Sequence, residues 1–167
     1  GEDAAERERL YRESRGNPFY LLQLARRQGS GDTATPRTIT AAIDAELEVL
    51  EPDELRFIQA AAVTGDPFDL DLAVEVSGLD EPRALEALDR LVARDLLRLD
   101  AVPRRLQFRH PLVRSAVYEG LTPGHRLVAH ERAVGALSAR GASPAALAHL
   151  VEQSARHGDA EALSVLH

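Results

Sequence analysis

Apolar residues recur along this chain at helical spacing, and the breaks between stripes fall on capping residues, Pro and Gly. Leu55, Ile58 and Ala62 form one stripe, Leu85, Leu88 and Val92 a second, and Val113, Ala116 and Val117 a third. Capping side chains open helices, often with Pro in the first turn, and Gly closes them. On that rule Asn17-Pro18 opens a helix that stops at Gly29, and Pro52 opens one that runs to Gly65. Asp69 to Gly78 frames a short helix, and Asp80, with Pro82 in its first turn, opens one through about Asp95. His110-Pro111 opens a helix ending at Gly120, Thr122-Pro123 one ending at Gly141, and Ser143-Pro144 one ending at Gly158. Two more fit Ala4–Ser14 and Thr38–Leu50, and Gly29–Pro36 reads as a flexible linker.

The period changes between Leu96 and Arg109. Leu97-Arg98-Leu99 and Leu106-Gln107-Phe108 alternate around Asp100–Arg105, which contains Pro103, and that is a β-hairpin pattern. Three helices followed at once by a hairpin predict a winged helix-turn-helix. Helices 69–78 and 80–95 form its pair across the tight turn at Gly78. The predicted fold class is therefore mainly α, with helices plus one β-hairpin. Helices 123–141, 144–158 and 159–167 read as antiparallel hairpins, the start of a helical solenoid whose period one partial repeat does not fix.

Composition narrows the function. The chain has 44% hydrophobic residues but only 4% aromatic, so its core is built mainly from Leu, Ala and Val, which favours helix. No Met occurs, so residue 1 is expected not to be a natural start and the chain to be part of something longer. Zero Cys excludes disulfides and thiolate metal sites, and no apolar run approaches the roughly 20 residues of a membrane span. Both point to a soluble, cytoplasmic protein. The net charge of −7 argues against nucleic acid as the main partner.

Candidate chemistry is sparse. The predicted recognition helix carries Asp80, Glu81, Glu86, Asp89 and Asp95 against Arg83, Arg90 and Arg94, a net −2 where phosphate would be met. The hairpin and its sequel are basic, with Arg98, Arg104, Arg105, Arg109 and Arg114 against Asp100, so wing contacts to DNA fall on Arg98, Arg104 and Arg105. His130-Glu131 starts like a zinc-protease helix, but Val134 stands where the second His belongs. His125 and His130 lie five apart on different helical faces, and His149 and His157 have no acidic partner at ligand spacing, so no metal site is expected. There is no nucleophile elbow, and without Lys no phosphate loop of the Gly-x4-Gly-Lys type. Glu and Asp read as solvated surface, and no catalytic residue is predicted.

Two strings resemble a known family. Arg15-Gly16-Asn17-Pro18-Phe19-Tyr20-Leu21-Leu22 and Phe108-Arg109-His110-Pro111-Leu112-Val113-Arg114-Ser115-Ala116-Val117-Tyr118 look like signatures of the large LuxR-type transcriptional regulators of the STAND class of signal-transduction ATPases. The resemblance implies an upstream ATP-binding domain, a helical lid, a winged helix, a tetratricopeptide-like array and a C-terminal LuxR helix-turn-helix. Residues 1–30 would be the lid, 38–120 the winged helix and 121–167 the start of the array. It implies further that Gly16, Asn17, Pro18 and Phe19 contact the nucleotide base, and that His110 contacts the diphosphate. In related STAND proteins this His is followed by Asp, whereas Pro111 stands here, and His110 reads equally as the cap of the helix that Pro111 begins.

The implied function is a non-catalytic regulatory segment. It would couple the nucleotide state of the upstream ATPase domain, with ATP or ADP and magnesium bound there, to a downstream DNA-binding domain. DNA would be met only through a LuxR helix-turn-helix beyond this chain. The alternative is a free-standing winged-helix DNA-binding module with a helical dimerisation tail. In either case Leu147, Leu150, Val151, Leu163 and Leu166 are expected to leave an apolar face open, with self-association through residues 143–167.

Overall fold

The computed structural model describes residues 35–155, with side chains from Ile39 to Leu150 other than His149. Among them the chain is mainly helical with one small antiparallel sheet. It divides into two units at Val49 and Leu50. In the first unit α1 spans Thr35–Glu48. The sequence placed this helix at 38–50 and left Pro36 in the linker. Pro36 instead sits in the first turn, where a missing N–H costs nothing, so the helix starts earlier. Ile39 and Ile43, four apart on one face, are buried. The predicted lid and its helices at 4–14 and 17–29 lie outside the described residues.

The second unit runs through α2 (Pro52–Thr64), β1 (Phe68–Asp69), α3 (Leu70–Ser77), α4 (Glu81–Ala93), β2 (Leu97–Leu99) and β3 (Arg105–Phe108). It continues with α5 (Pro111–Glu119), α6 (Pro123–Ala139) and α7 (Pro144–Ala155). The helix starts follow the capping residues. Asp69 accepts from the Leu72 N–H at 2.8 Å, Asp80 from the Arg83 N–H at 3.0 Å, and Thr122 from the His125 N–H at 3.4 Å. Gly78 ends α3 at φ 68°, a left-handed conformation that a Cβ would strain. A Cβ there would also stand 3.0 Å from the Arg132 guanidinium.

The predicted hairpin is present and pairs Leu97 with Phe108 and Leu99 with Leu106, though Leu99 is 72% exposed and breaks the alternation of burial along β2. The sequence did not predict β1, which adds to the other side of β3 with Phe68 opposite Leu106. Two residues are too few to show an alternation. The Phe68 and Phe108 rings meet on this sheet, 5.9 Å between centroids, and both are buried.

Helix α2 lies centrally, packing against α3, α4, α5 and α6. Its Phe57, Ile58, Ala61 and Val63 are buried with Leu72 and Val76 of α3, Ala84, Leu88 and Leu91 of α4, and Val113 and Val117 of α5. Truncating a buried aromatic such as Phe57 to Ala typically costs about 3–5 kcal/mol. Two stripes were misphased in the sequence. Leu55 is 37% exposed and Leu85 38%, because the buried face of α2 runs through Glu54, Phe57, Ile58 and Ala61, and that of α4 through Ala84, Ala87, Leu88 and Leu91.

Helix α6 runs antiparallel along α3. Arg132 donates from Nη1 to the Val76 carbonyl at the end of α3 (3.4 Å), while Arg140 reaches Asp69 at its start (3.4 Å) and Glu75 (3.0 Å). Between these contacts Ala133 and Ala136 are buried, small enough to let the helices approach closely. Helix α7 packs back on α2 and α6. The expected open apolar face is therefore corrected at Leu150, which is only 4% exposed, and Leu147 is part-buried. The Val151 side chain, Leu163 and Leu166 lie outside the described residues. Among the described residues no helix is long and apolar enough to cross a membrane.

Candidate functional site

The first turn of α5 carries the chemistry the sequence singled out. Pro111 occupies the first helical position and His110 is the N-cap, extended at φ −152°. The His110 Nδ1 accepts a hydrogen bond from the Leu112 N–H at 3.1 Å, and the ring is 4% exposed. An imidazole nitrogen that accepts cannot hold the proton. In the neutral ring Nε2 is therefore the N–H, an assignment that follows from the hydrogen bond. The cap expected from Pro111 is present, and one nitrogen is committed to it.

His110 begins a polar stripe on the buried face of α5. Arg114 follows four residues on and Tyr118 four after that, and both are buried. The Arg114 Nε donates to the Ala62 carbonyl of α2 at 2.9 Å, while its Nη2 is buried without a hydrogen-bond partner among the described residues. Desolvation pulls the guanidinium below its ordinary pKa, opposed by the charge of Asp66. Arginine nevertheless stays protonated, so a cation is held among α2 and α5. Asp66 in turn accepts from the Phe108 N–H at 3.1 Å, which ties the α2–β1 loop to the end of β3. Tyr118 reaches the buried His130 of α6, hydroxyl to Nε2 at 3.0 Å, and Arg126 lies 4.8 Å over its ring.

Sequence reasoning missed Arg114, Tyr118 and His130 as a set. Their signal was the i, i+4, i+8 spacing of His110, Arg114 and Tyr118, in a helix whose periodicity was read only through Val113, Ala116 and Val117. Gly16, Asn17, Pro18 and Phe19 lie outside the described residues.

Arg98, Arg104 and Arg105, expected as wing contacts, do not form an unpaired cationic surface. Arg98 makes a bidentate pair with Asp95, at 2.8 and 3.0 Å. Arg104 makes one with Asp71 of α3, and Arg105 approaches Asp100 at 3.8 Å. These pairs hold the Asp71 and Asp95 carboxyls below the usual aspartate range, chiefly through the guanidinium hydrogen bonds. Arg104 sits at φ 61°, a left-handed conformation that costs a non-glycine residue energy. The hairpin holds it there through the Leu70 N–H bond to its carbonyl at 2.9 Å.

The two arginines of α4 and Arg94 at its C-cap are engaged likewise. Arg83 forks onto Asp53 at 2.7 and 2.9 Å, Arg90 pairs with Glu86 at 2.6 Å, and Arg94 donates to Glu54 at 3.1 Å. Glu54 is a second correction, since the sequence placed the carboxylates on solvated faces. At 1% exposure it is buried, accepting from the Glu51 N–H at 2.7 Å and from Arg94.

His125 is exposed, and no cluster of three or more His, Asp or Glu side chains that could hold a metal occurs among the described residues. Comparisons with known protein families, with curated proteins and with solved structures gave no match to this chain.

Proposed function

We propose that this segment is a non-catalytic regulatory module built on a winged helix whose helix pair and wing work by packing rather than by reading DNA. The observation that carries this reading is α6 lying antiparallel along α3, which takes up a face of the first helix of the pair. The order α2, β1, α3, α4, β2, β3, with β3 central in the sheet, supports the winged helix. A DNA reader needs basic side chains available to phosphate. Here the arginines of α4 and of the hairpin meet carboxylates of their own chain, which disfavours a free-standing DNA-binding module.

The parent would be a regulator of the LuxR-type STAND class. In it this module would connect an upstream ATPase domain, holding ATP or ADP with magnesium, to a helical array that α6 and α7 begin. DNA would be bound by a separate LuxR helix-turn-helix. Within the module His110 is the residue closest to the coupling. Its Nδ1 is spent on the α5 cap, and its Nε2–H is of the right chemistry to donate to a diphosphate oxygen. A hydrogen bond to a charged acceptor contributes about 1.5–3 kcal/mol, enough to shift a closed state favoured by a few kcal/mol.

The test is a pair of variants in the intact parent. His110→Ala should raise transcription without inducer and speed ADP release. If the imidazole only caps α5, His110→Asn should behave as wild type, because Asn caps at least as well. Unchanged ADP release in both variants would remove the coupling role.

A further inference from the structure

We infer that the groove between α2 and α6, floored by the end of α3, is a docking site for an acidic amphipathic helix of a partner protein. The groove has a volume of about 510 Å³, and it is lined by Leu55, Val76 and Val128 with Arg56, His125 and Arg132 at its polar positions. Leu55 and Val128 present apolar surface there, Val128 being 44% exposed. The chain has 27 acidic residues and a net charge of −7, yet none of the lining residues is Asp or Glu.

The exposed arginines among the described residues separate into two groups. Arg83, Arg90, Arg94, Arg98, Arg104, Arg105 and Arg140 each meet a carboxylate of the chain. Exposed Arg56 and Arg132 have no carboxylate partner among the described residues, and Arg132 makes only a long bond to the Val76 carbonyl. Both line this one groove. Two uncompensated guanidinium groups beside exposed aliphatic side chains complement a ligand that is apolar at its centre and acidic at its edge.

The backbone around the groove selects a helix over an extended peptide. No lining residue belongs to a strand, so no free N–H and C=O edge is offered for strand addition. The walls are two helices, and a third helix laid between them buries an i, i+4, i+7 face against both. The apolar share of the lining likewise fits an amphipathic helix better than a small anion.

A displayed library of short helix-forming peptides tests this against the full 167-residue chain. Its members carry Leu at i, i+4 and i+7, with the flanking positions drawn from Glu, Lys and Gln. Selection should enrich Glu at the flanks, and the winning peptide should shift amide resonances at residues 55, 56, 125, 128 and 132. Arg56→Glu combined with Arg132→Glu should weaken that peptide roughly tenfold or more and turn the selected flanks to Lys. Val128→Asp should weaken it without changing the charge preference. Both sites are exposed, and circular dichroism of each variant checks that the fold is retained. No enrichment, enrichment without charge preference, or a preference unchanged in the double Arg variant would overturn the inference. So would a concentration-dependent dimer abolished by Val128→Asp, which would give the groove to a second copy of the chain.

Discussion

Arg140, at the end of α6, holds Glu75 of α3 with its Nη2 at 3.0 Å from the carboxylate, and so pins one end of the antiparallel α3–α6 contact. The pair is exposed, so Arg140→Ala should cost no more than about 1 kcal/mol. The buried alanines beside it carry more. Ala133→Glu, which forces an unpaired charge into a fully buried position, should cost about 3 kcal/mol or more in urea unfolding. A neutral Ala133→Glu would mean that this face of α6 is not buried.

Glu54 serves two partners from a buried position. Glu54→Ala removes both the bond from the Glu51 N–H and the ion pair with Arg94, and should cost about 2–3 kcal/mol. Glu86→Ala, which breaks only the exposed pair with Arg90, should stay within about 0.5 kcal/mol. Chemical denaturation of the two variants side by side makes the comparison.

Acid should weaken the hairpin before it unfolds the rest. Asp71 and Asp95 titrate below the ordinary value of 3.8 in the folded chain because of Arg104 and Arg98. A lowered carboxyl pKa contributes stability that is present above the unfolded value and is lost as pH falls through the folded one. Thermal midpoints should therefore be insensitive to these groups near neutrality and decline below about pH 4. The double variant Asp71→Asn, Asp95→Asn should flatten part of that decline, and high salt should do the same, since both pairs are exposed. An identical acid profile for the variant would show that these two pairs contribute nothing.

The helix ends and the hairpin were legible because their signals are local. Asp69, Asp80, His110 and Thr122 each cap the helix their sequence announced, and each bond spans two or three residues. Alternation around residues 97–108 marked the hairpin, and its register came only with the fold. What stayed hidden depends on distant partners. Arg83 meets Asp53 thirty residues away, Arg104 meets Asp71 across 33, and Arg140 meets Glu75 across 65. Read singly, the hairpin arginines made a basic wing; in the fold they are paired with carboxylates. Helix phase was the other weak point. Leu55 and Leu85 fit an apolar stripe, but the true faces are set by α2 meeting several helices at once, which no single helix records. Within the candidate site His110 was visible through Pro111, whereas His130 could be joined to Tyr118 only after α6 folded back on α5.

Titration of a fluorescent duplex pool with the chain at about physiological salt tests the central claim most directly. If the helix pair and wing pack on protein, anisotropy should show no saturable binding tighter than about 10⁻⁵ M, within the range of weak non-specific contact. Binding at about 10⁻⁸ M or tighter to one preferred sequence, falling steeply with salt and lost in Arg104→Ala with Arg105→Ala, would contradict it and make the module a DNA reader.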